Sequence, residues 1–272
     1  MEAVPVVPAA TVTLVRDARA GIEVLMLQRN FESGFMPGVF LFPGGAIDPE
    51  DHAPGVLERC SGPDDGQASA ALELPHGGLA YWAAAIRESF EEAGVLLAYD
   101  ENGVLADPAE PQRVERFEDY RRRLNAGEPV LQTMLEREHL RLATDRLIYF
   151  SRWITPVNAP RRYDTRFFVA AAPAGQEGLA DNVETIHQLW VVPGIALDRH
   201  RAGEFKMGTP TACTLEQFAA FDTVDTLLAA LRAKSEIPAI IPRIGRNGKR
   251  LLPGEPGYDE AATPEGQGKW QT

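Results

Sequence analysis

From position 11 to 28 apolar and polar residues alternate along the chain, broken at 17–21 by Asp, Ala, Arg, Ala and Gly. A period of two sends successive side chains to opposite faces of a pleated strand, so the stretch predicts a hairpin of strands 11–15 and 22–28. Arg29 stands at the end of its second arm. The apolar run Phe35-Met-Pro-Gly-Val-Phe-Leu-Phe-Pro-Gly-Gly45 comes next. Its closing Pro43, Gly44 and Gly45 predict a turn whose backbone takes conformations denied to other residues and approaches a ligand or neighbour closely. Residues 52–78 shift to Pro, Gly, Asp, Ala and Ser and read as an irregular insertion.

The period changes to that of a helix over 79–99. On a wheel of about 100° per residue, Trp82, Phe90, Ala93 and Leu97 fall close to Ile86 and form a core-facing stripe, with Gly94 marking the end of the regular helix. Two charged, amphipathic stretches, 111–126 and 129–142, predict a helical insertion. Strands are expected at 147–154, 166–171 and 187–192. A last helix over 214–234 opens on the capping box Thr214-Leu-Glu-Gln217. Beyond Pro242 the chain turns to Gly, Pro and polar residues, ending in segments such as Pro264-Glu-Gly-Gln-Gly-Lys, and a wrapped or disordered arm is expected. No repeat recurs at periods of 20 to 50 residues.

Composition narrows the function. Lys plus Arg number 27 against 39 Asp plus Glu, a net charge of −12. That sign disfavours a protein that grips a polyphosphate backbone electrostatically, so nucleic acid is not expected as the main partner. The early uncharged stretch 3–15 contains Pro5 and Pro8 and follows an acidic residue, fitting neither a membrane span nor a signal peptide. Cys60 and Cys213 lie far apart without a CxxC pair, which argues against a disulfide framework and makes a reducing cytoplasm the expected location. The five histidines show no metal-ligand spacing such as HExxH, and Trp82 and Phe90 read as core.

Glu88, Glu91 and Glu92 cluster opposite the apolar stripe, because residues three and four apart share a helix face. A charged face is also what any solvated helix shows. Like charges at this spacing repel unless a cation sits among them, and Mg²⁺ prefers carboxylate oxygens while sharing its shell with substrate phosphates. Arg87-Glu-Ser-Phe-Glu-Glu-Ala-Gly-Val95, preceded by Phe42-Pro-Gly-Gly45, resembles the signature of the Nudix hydrolases, G-x5-E-x7-R-E-U-x-E-E-x-G-U. Gly45 matches the opening glycine, and Arg87, Glu88, Glu91, Glu92, Gly94 and Val95 match the helical half. Asp51 stands where the pattern has Glu, Ser89 where it has an aliphatic residue, and 28 additional residues separate Asp51 from Arg87. A loop of that length closes at modest entropic cost. The interrupted box, with Leu27-Gln-Arg-Asn30 and the arginine-rich 155–165 segment, resembles the acyl-coenzyme A diphosphatase branch of the family.

The resemblance implies an α/β/α sandwich with a mixed sheet, spanning 8–204, with insertions at 52–78 and 108–143, and 205–272 packed on the same domain. It implies Mg²⁺ or Mn²⁺ held by Glu88, Glu91, Glu92 and the main-chain carbonyl of Gly44. Glu88 and Glu184 are the candidate general bases, with Glu177 and Asp181 as rivals of the latter. Gly45, Arg87 and Gly94 are expected to support the site structurally. Arg29, Arg161, Arg162 and Arg166 are candidate phosphate ligands, since guanidinium binds phosphate bidentately; solvated arginines or partners for nearby acids are the alternative. The implied substrate is a small nucleoside diphosphate derivative, coenzyme A or acyl-CoA first, with ADP-ribose, NADH or dinucleoside polyphosphates as alternatives. A homo-oligomer is compatible with the sequence. A non-catalytic Nudix-like binding module is the competing class, against which the retention of all three glutamates argues.

Overall fold

The computed structural model describes residues 4–32, 36–157, 159–179, 181 and 184–262. Phe35, Asn158 and the Gly/Pro-rich tail after 262, on which expectations were placed above, lie outside the described residues. In chain order the elements are β1 (Val6–Ala18), β2 (Gly21–Arg29), β3 (Phe40–Leu41), β4 (Gly44–Ala46), α1 (Pro54–Leu57), α2 (Asp65–Ala71) and α3 (Leu79–Ala93). There follow β5 (Ala98–Tyr99), α4 (Val114–Asn125), α5 (Leu131–Arg137), β6 (Arg141–Leu142), β7 (Ile148–Ile154), β8 (Arg162–Ala171) and β9 (Thr185–Val191). The chain closes with α6 (Pro193–Arg201), α7 (Thr209–Phe218), α8 (Val224–Arg232), β10 (Ala239–Ile240), β11 (Arg243–Ile244) and β12 (Arg250–Leu251).

Eight strands form a mixed sheet in the order β10-β7-β8-β1-β2-β3, with β4 on β1 and β9 on β2. β1 runs parallel to β8 and β10 to β7, and the other pairs are antiparallel. Strand alternation divides the core in two. Val12, Leu14, Leu25 and Phe168 pack with α3 and α4 on one face, whereas Val24, Met26, Phe167 and Val169 pack with α6, α7 and α8 on the other. The result is the three-layer α/β/α sandwich with a mixed sheet. Trp82 meets Phe168 edge-on at 4.7 Å and Phe90 meets Phe117 at 6.0 Å, so both aromatics are core residues. Burying each such ring contributes roughly 1.5–3 kcal/mol.

Several boundaries differ from expectation for identifiable reasons. The hairpin arms extend to Ala18 and Gly21, because the polar 17–21 stretch continues the β1–β2 ladder to its tip. The 52–78 insertion is partly helical: Asp64 accepts from the Gln67 amide at 2.8 Å and the Gln67 side chain accepts from the Asp64 amide at 3.0 Å, a capping box that starts α2. The single helix expected over 214–234 is two, α7 and α8. Thr214 is buried inside α7, which starts five residues earlier, and it is Thr223 that caps α8. After Pro242 the chain forms the β11–β12 hairpin.

β1 pairs with β2 only near its C-terminal end, then diverges from it and takes β4 as partner at Ala9–Thr11, while β2 continues with β3 and β9. The fork between them is where the box residues gather.

Candidate active site

α3 carries the signature residues, and its sequence explains both its length and its burial. Alanines at 80, 83, 84, 85 and 93 let it sit close on the sheet, and every residue from Leu79 to Ala93 except Glu91 is buried. It ends at Gly94, whose φ of +66 is the left-handed conformation glycine adopts without strain. Ser89, at the position where the pattern has an aliphatic residue, is fully buried and donates its hydroxyl to the Val95 carbonyl at 2.8 Å, tying the helix end to the following segment.

The Gly44–Gly45 segment makes the expected close approach, but not through the turn conformations denied to other residues that were expected. It is β4, paired with β1, and neither glycine has positive φ. Space is what requires glycine here. A Cβ at Gly44 would lie 2.4 Å from the Thr11 hydroxyl, and one at Gly45 would lie 2.4 Å from Glu88 Oε1. The Gly44 amide donates to Glu92 Oε2 at 3.0 Å. β4 therefore touches two of the three glutamates.

Arg87 organises the rest. Its Nε and Nη2 donate to Asp51 Oδ1 and Oδ2, both at 2.9 Å, Nη1 donates to Glu88 at 2.8 Å and Glu91 at 3.1 Å, and Nη2 donates to the Ala46 carbonyl at 3.0 Å. The short side chain of Asp51 thus occupies the acidic position as the partner of Arg87, and the 28 additional residues loop out without separating the two. Asp51, Glu88 and Glu91 share one guanidinium while Glu92 accepts from the Gly44 amide, which leaves excess negative charge in a buried place. Burial, with repulsion from Glu91 and Asp51 only partly offset by Arg87, pushes the Glu88 carboxyl up to about 7. Burial first and Glu88 second raise Glu92 well above the usual carboxylate range, and burial raises Glu91. Such charge is costly unless compensated.

The donor set is hard carboxylate oxygen, the chemistry of Mg²⁺ or Mn²⁺ sites, and the surplus negative charge fits a divalent cation. Among the described residues no three Asp, Glu, His or Cys side chains stand at metal-ligating spacing in this arrangement, where Arg87 and the Gly44 amide hold the carboxylates.

Two candidates reached from the sequence approach the same cluster. Glu184 is exposed beside the β9 start, its carbonyl accepts from the Asn30 amide at 2.8 Å, and its charge raises both Glu91 and Glu92. Arg29, opposite Thr185 in the β2–β9 ladder, lowers Glu92. The rivals of Glu184 are committed elsewhere: Glu177 pairs with Arg16 at 2.7 Å, and Asp181 accepts from the Thr185 amide at 2.9 Å.

The 161–166 arginines do not join this cluster. Arg166 is 1% exposed, pairs with Asp164, and lies with its guanidinium 5.4 Å from the Tyr81 ring, so it is a buried partner for an acid. Arg162 donates to the Thr155 and Val4 carbonyls, both at 3.2 Å, and Arg161 is exposed.

Sequence reasoning missed the supports of the α3 C-terminus. Arg121 of α4 donates to the Glu91 carbonyl at 2.9 Å and the Glu92 carbonyl at 2.8 Å, and also to the Leu179 carbonyl. Asn125 adds a bond to the Glu91 carbonyl at 3.1 Å. These satisfy acceptors that a helix end leaves open. The only available signal was the position of Arg121 and Asn125 at i and i+4 on one helix face, which does not reveal their target.

Comparison with known proteins places the chain in a family. The chain is 28% identical over 234 residues to the acyl-coenzyme A diphosphatase NUDT19 of Xenopus laevis, with 75% of this chain and 62% of that protein covered. It is 29% identical over 239 residues to the Gallus gallus protein of the same name, covering 75% and 63%. The chain thus spans a little under two thirds of the length of these curated relatives. The crystal structure of a NUDIX hydrolase from Alicyclobacillus acidocaldarius superposes with a TM-score of 0.71 at 28% identity, covering 85% of this chain and 99% of that one. The family described as the NUDT19 Nudix domain matches residues 61–217, more than half of the chain and all of α3. The chain therefore belongs to the NUDT19 Nudix domain family.

Proposed function

We propose that this chain is a Nudix pyrophosphohydrolase that cleaves the diphosphate of coenzyme A or an acyl-CoA, giving 3′,5′-ADP and the corresponding 4′-phosphopantetheine. The carrying observation is that Glu88 and Glu92 lie under the Gly44–Gly45 strand and Glu91 is joined to Glu88 through Arg87, which Asp51 locks. The names of the curated relatives support the choice of coenzyme A among nucleoside diphosphate derivatives.

In this reading Glu88, Glu91 and Glu92, with the Gly44 carbonyl, hold Mg²⁺ or Mn²⁺. Bound divalent ions would lower the pKa of water and neutralise charge on the phosphate oxygens. Arg87 keeps the glutamate-bearing turn of α3 in place and, being a guanidinium, keeps its proton. Glu184, exposed at the mouth and free to face solvent water, accepts the proton of the attacking water. Glu88, with its carboxyl near neutrality, is the second candidate for that role. Arg29 steadies the diphosphate from the β2 end.

The test is incubation of purified chain with CoA, acetyl-CoA, ADP-ribose, NADH and a dinucleoside tetraphosphate, with and without Mg²⁺ or Mn²⁺, and chromatographic resolution of products. Metal-dependent release of 3′,5′-ADP from the CoA compounds is expected. Intact CoA at high enzyme concentration, alongside turnover of another diphosphate, overturns the substrate and keeps the reaction class; no turnover of any compound favours a binding module.

A further inference from the structure

The connection between β8 and β9 carries Glu184 at its far end, and Gln176, near its start, is 7% exposed. A buried carboxamide is costly unless its oxygen and both of its protons find partners. Those of Gln176 find them on main-chain groups. Oε1 accepts from the Leu96 amide at 2.8 Å, while Nε2 donates to the Leu96 carbonyl at 3.2 Å and the Ala106 carbonyl at 2.9 Å. Leu96 lies 80 positions earlier in the chain, fully buried in the segment that leaves α3. The Gln176 side chain thus bonds both main-chain groups of Leu96, as a residue of a neighbouring strand does.

Further contacts join the same connection to the same end of α3. The Leu179 amide donates to the Ala93 carbonyl at 2.7 Å. The Leu179 carbonyl accepts from Arg121, which also donates to the Glu91 and Glu92 carbonyls. Glu177 is held from the sheet side: its carbonyl accepts the Trp190 indole proton at 2.9 Å and its carboxylate pairs with Arg16. Nearer β9, Asp181 accepts from the Glu184 amide at 3.3 Å and the Thr185 amide at 2.9 Å, and the Asn30 amide donates to the Glu184 carbonyl. The first half of the connection is therefore fixed on the end of α3 that bears Glu91 and Glu92, and the second half on β2 and β9.

Resting on the reading of Glu184 as the base, we infer that Gln176 is a positioning residue for hydrolysis: its carboxamide clips the β8–β9 connection to the segment leaving α3, which keeps Glu184 in place relative to Glu91 and Glu92. A general base works only within hydrogen-bond reach of the proton it takes, and a misplacement of about 1 Å costs roughly a hundredfold. Gln176 acts through Glu184 and not on the substrate. Its contribution therefore exists only while Glu184 has a proton to accept.

Gln176→Met keeps the length of the side chain and removes its hydrogen bonds, and a double-mutant cycle with Glu184→Gln, measured on CoA in saturating Mg²⁺, tests the link. In the wild-type background Gln176→Met should lower kcat about a hundredfold with KM little changed. In the Glu184→Gln chain, where no base remains to be positioned, it should lower kcat by less than about threefold. A fall there as large as in the wild-type background makes Gln176 a general support of the fold and overturns the inference. A wild-type kcat in Glu184→Gln overturns it together with the base assignment, so the two failures are told apart. A readout without turnover covers the case of CoA left intact: exchange of the Glu184 and Thr185 amide protons in metal-free chain should quicken at least about tenfold in Gln176→Met, and unchanged exchange overturns the inference. Should Gln176→Met fail to fold, Leu179→Pro, at a residue 63% exposed, removes the bond to the Ala93 carbonyl without disturbing a buried side chain. The same dependence on Glu184 is expected of it, and equal losses in both backgrounds overturn the inference.

Discussion

Asp51 and Arg87 meet through two parallel hydrogen bonds of 2.9 Å, with 0% and 4% of their side chains exposed. The pair joins the residue before the insertion to the helix after it, across 35 intervening positions. Removing one partner from a buried pair leaves the other charge uncompensated, at a cost of about 3–5 kcal/mol. Asp51→Asn should lower the unfolding free energy obtained from denaturant titration by that amount and reduce turnover with it. A loss under about 1 kcal/mol would show that the pair does not hold the site together.

Gly45 is required by contact with Glu88 rather than by backbone angle. Gly45→Ala should therefore preserve the circular dichroism spectrum, cost about 1–3 kcal/mol of stability through overpacking, and displace the Glu88 carboxylate. The measurement is kcat with saturating Mg²⁺, expected to fall at least about a hundredfold, since small displacements of catalytic groups cost that much. Near-normal kcat would mean that Glu88 needs no such approach.

Burial pushes the carboxyl of Glu88 up to about 7 from an ordinary glutamate value of 4.5. Between those values the folded chain binds more protons than the unfolded one, so stability falls as pH rises through this window. Metal-free chain should lose roughly 1–3 kcal/mol between pH 4.5 and 7.5 from this group and its neighbours. Glu88→Gln should flatten the slope, and added Mg²⁺ should restore stability at the upper end. Thermal melts across pH in chelator and in Mg²⁺ check the sign; a metal-free midpoint that rises through this range, with Glu88→Gln leaving it unaltered, contradicts the assignment.

Arg121 ties α4 to the last carbonyls of α3. Arg121→Ala leaves the Glu91 carbonyl with Asn125 alone and removes the Arg121 bond to the Glu92 carbonyl, a cost of about 1–3 kcal/mol. Hydrogen exchange should accelerate at the α3 C-terminal turn and less at its N-terminal half. Uniform exchange behaviour would show that α4 merely packs nearby.

How much of this was legible in the sequence depended on whether a residue acts through its own helix or through a distant partner. The stripe Trp82, Ile86, Phe90 and the cluster Glu88, Glu91, Glu92 follow from one period of 3.6 and were readable. Arg29 and Glu184 were reachable because each stands at a strand end. The role of Asp51 depended on a 28-residue loop closing, and the supports from Arg121 depended on how two helices pack, neither of which a linear pattern encodes. The grouping of Arg161, Arg162 and Arg166 hid their partners for a related reason: Arg162 and Arg166 share a face of β8, yet Arg162 is held by the Thr155 and Val4 carbonyls and Arg166 lies under α3 paired with Asp164. The break between α7 and α8 was hidden because Thr214 satisfies a capping pattern while lying inside a helix that begins at Thr209.

The central claim is that Glu92 and its neighbours hold the ions that drive diphosphate hydrolysis. Turnover of CoA in saturating Mg²⁺ by wild-type chain and by Glu92→Gln, which keeps size and can still accept the Gly44 amide, tests it most directly. The account predicts a fall of about a thousandfold or more in kcat with an unchanged melting profile in chelator or a rise at neutral pH. Turnover within a few fold of wild type would contradict it.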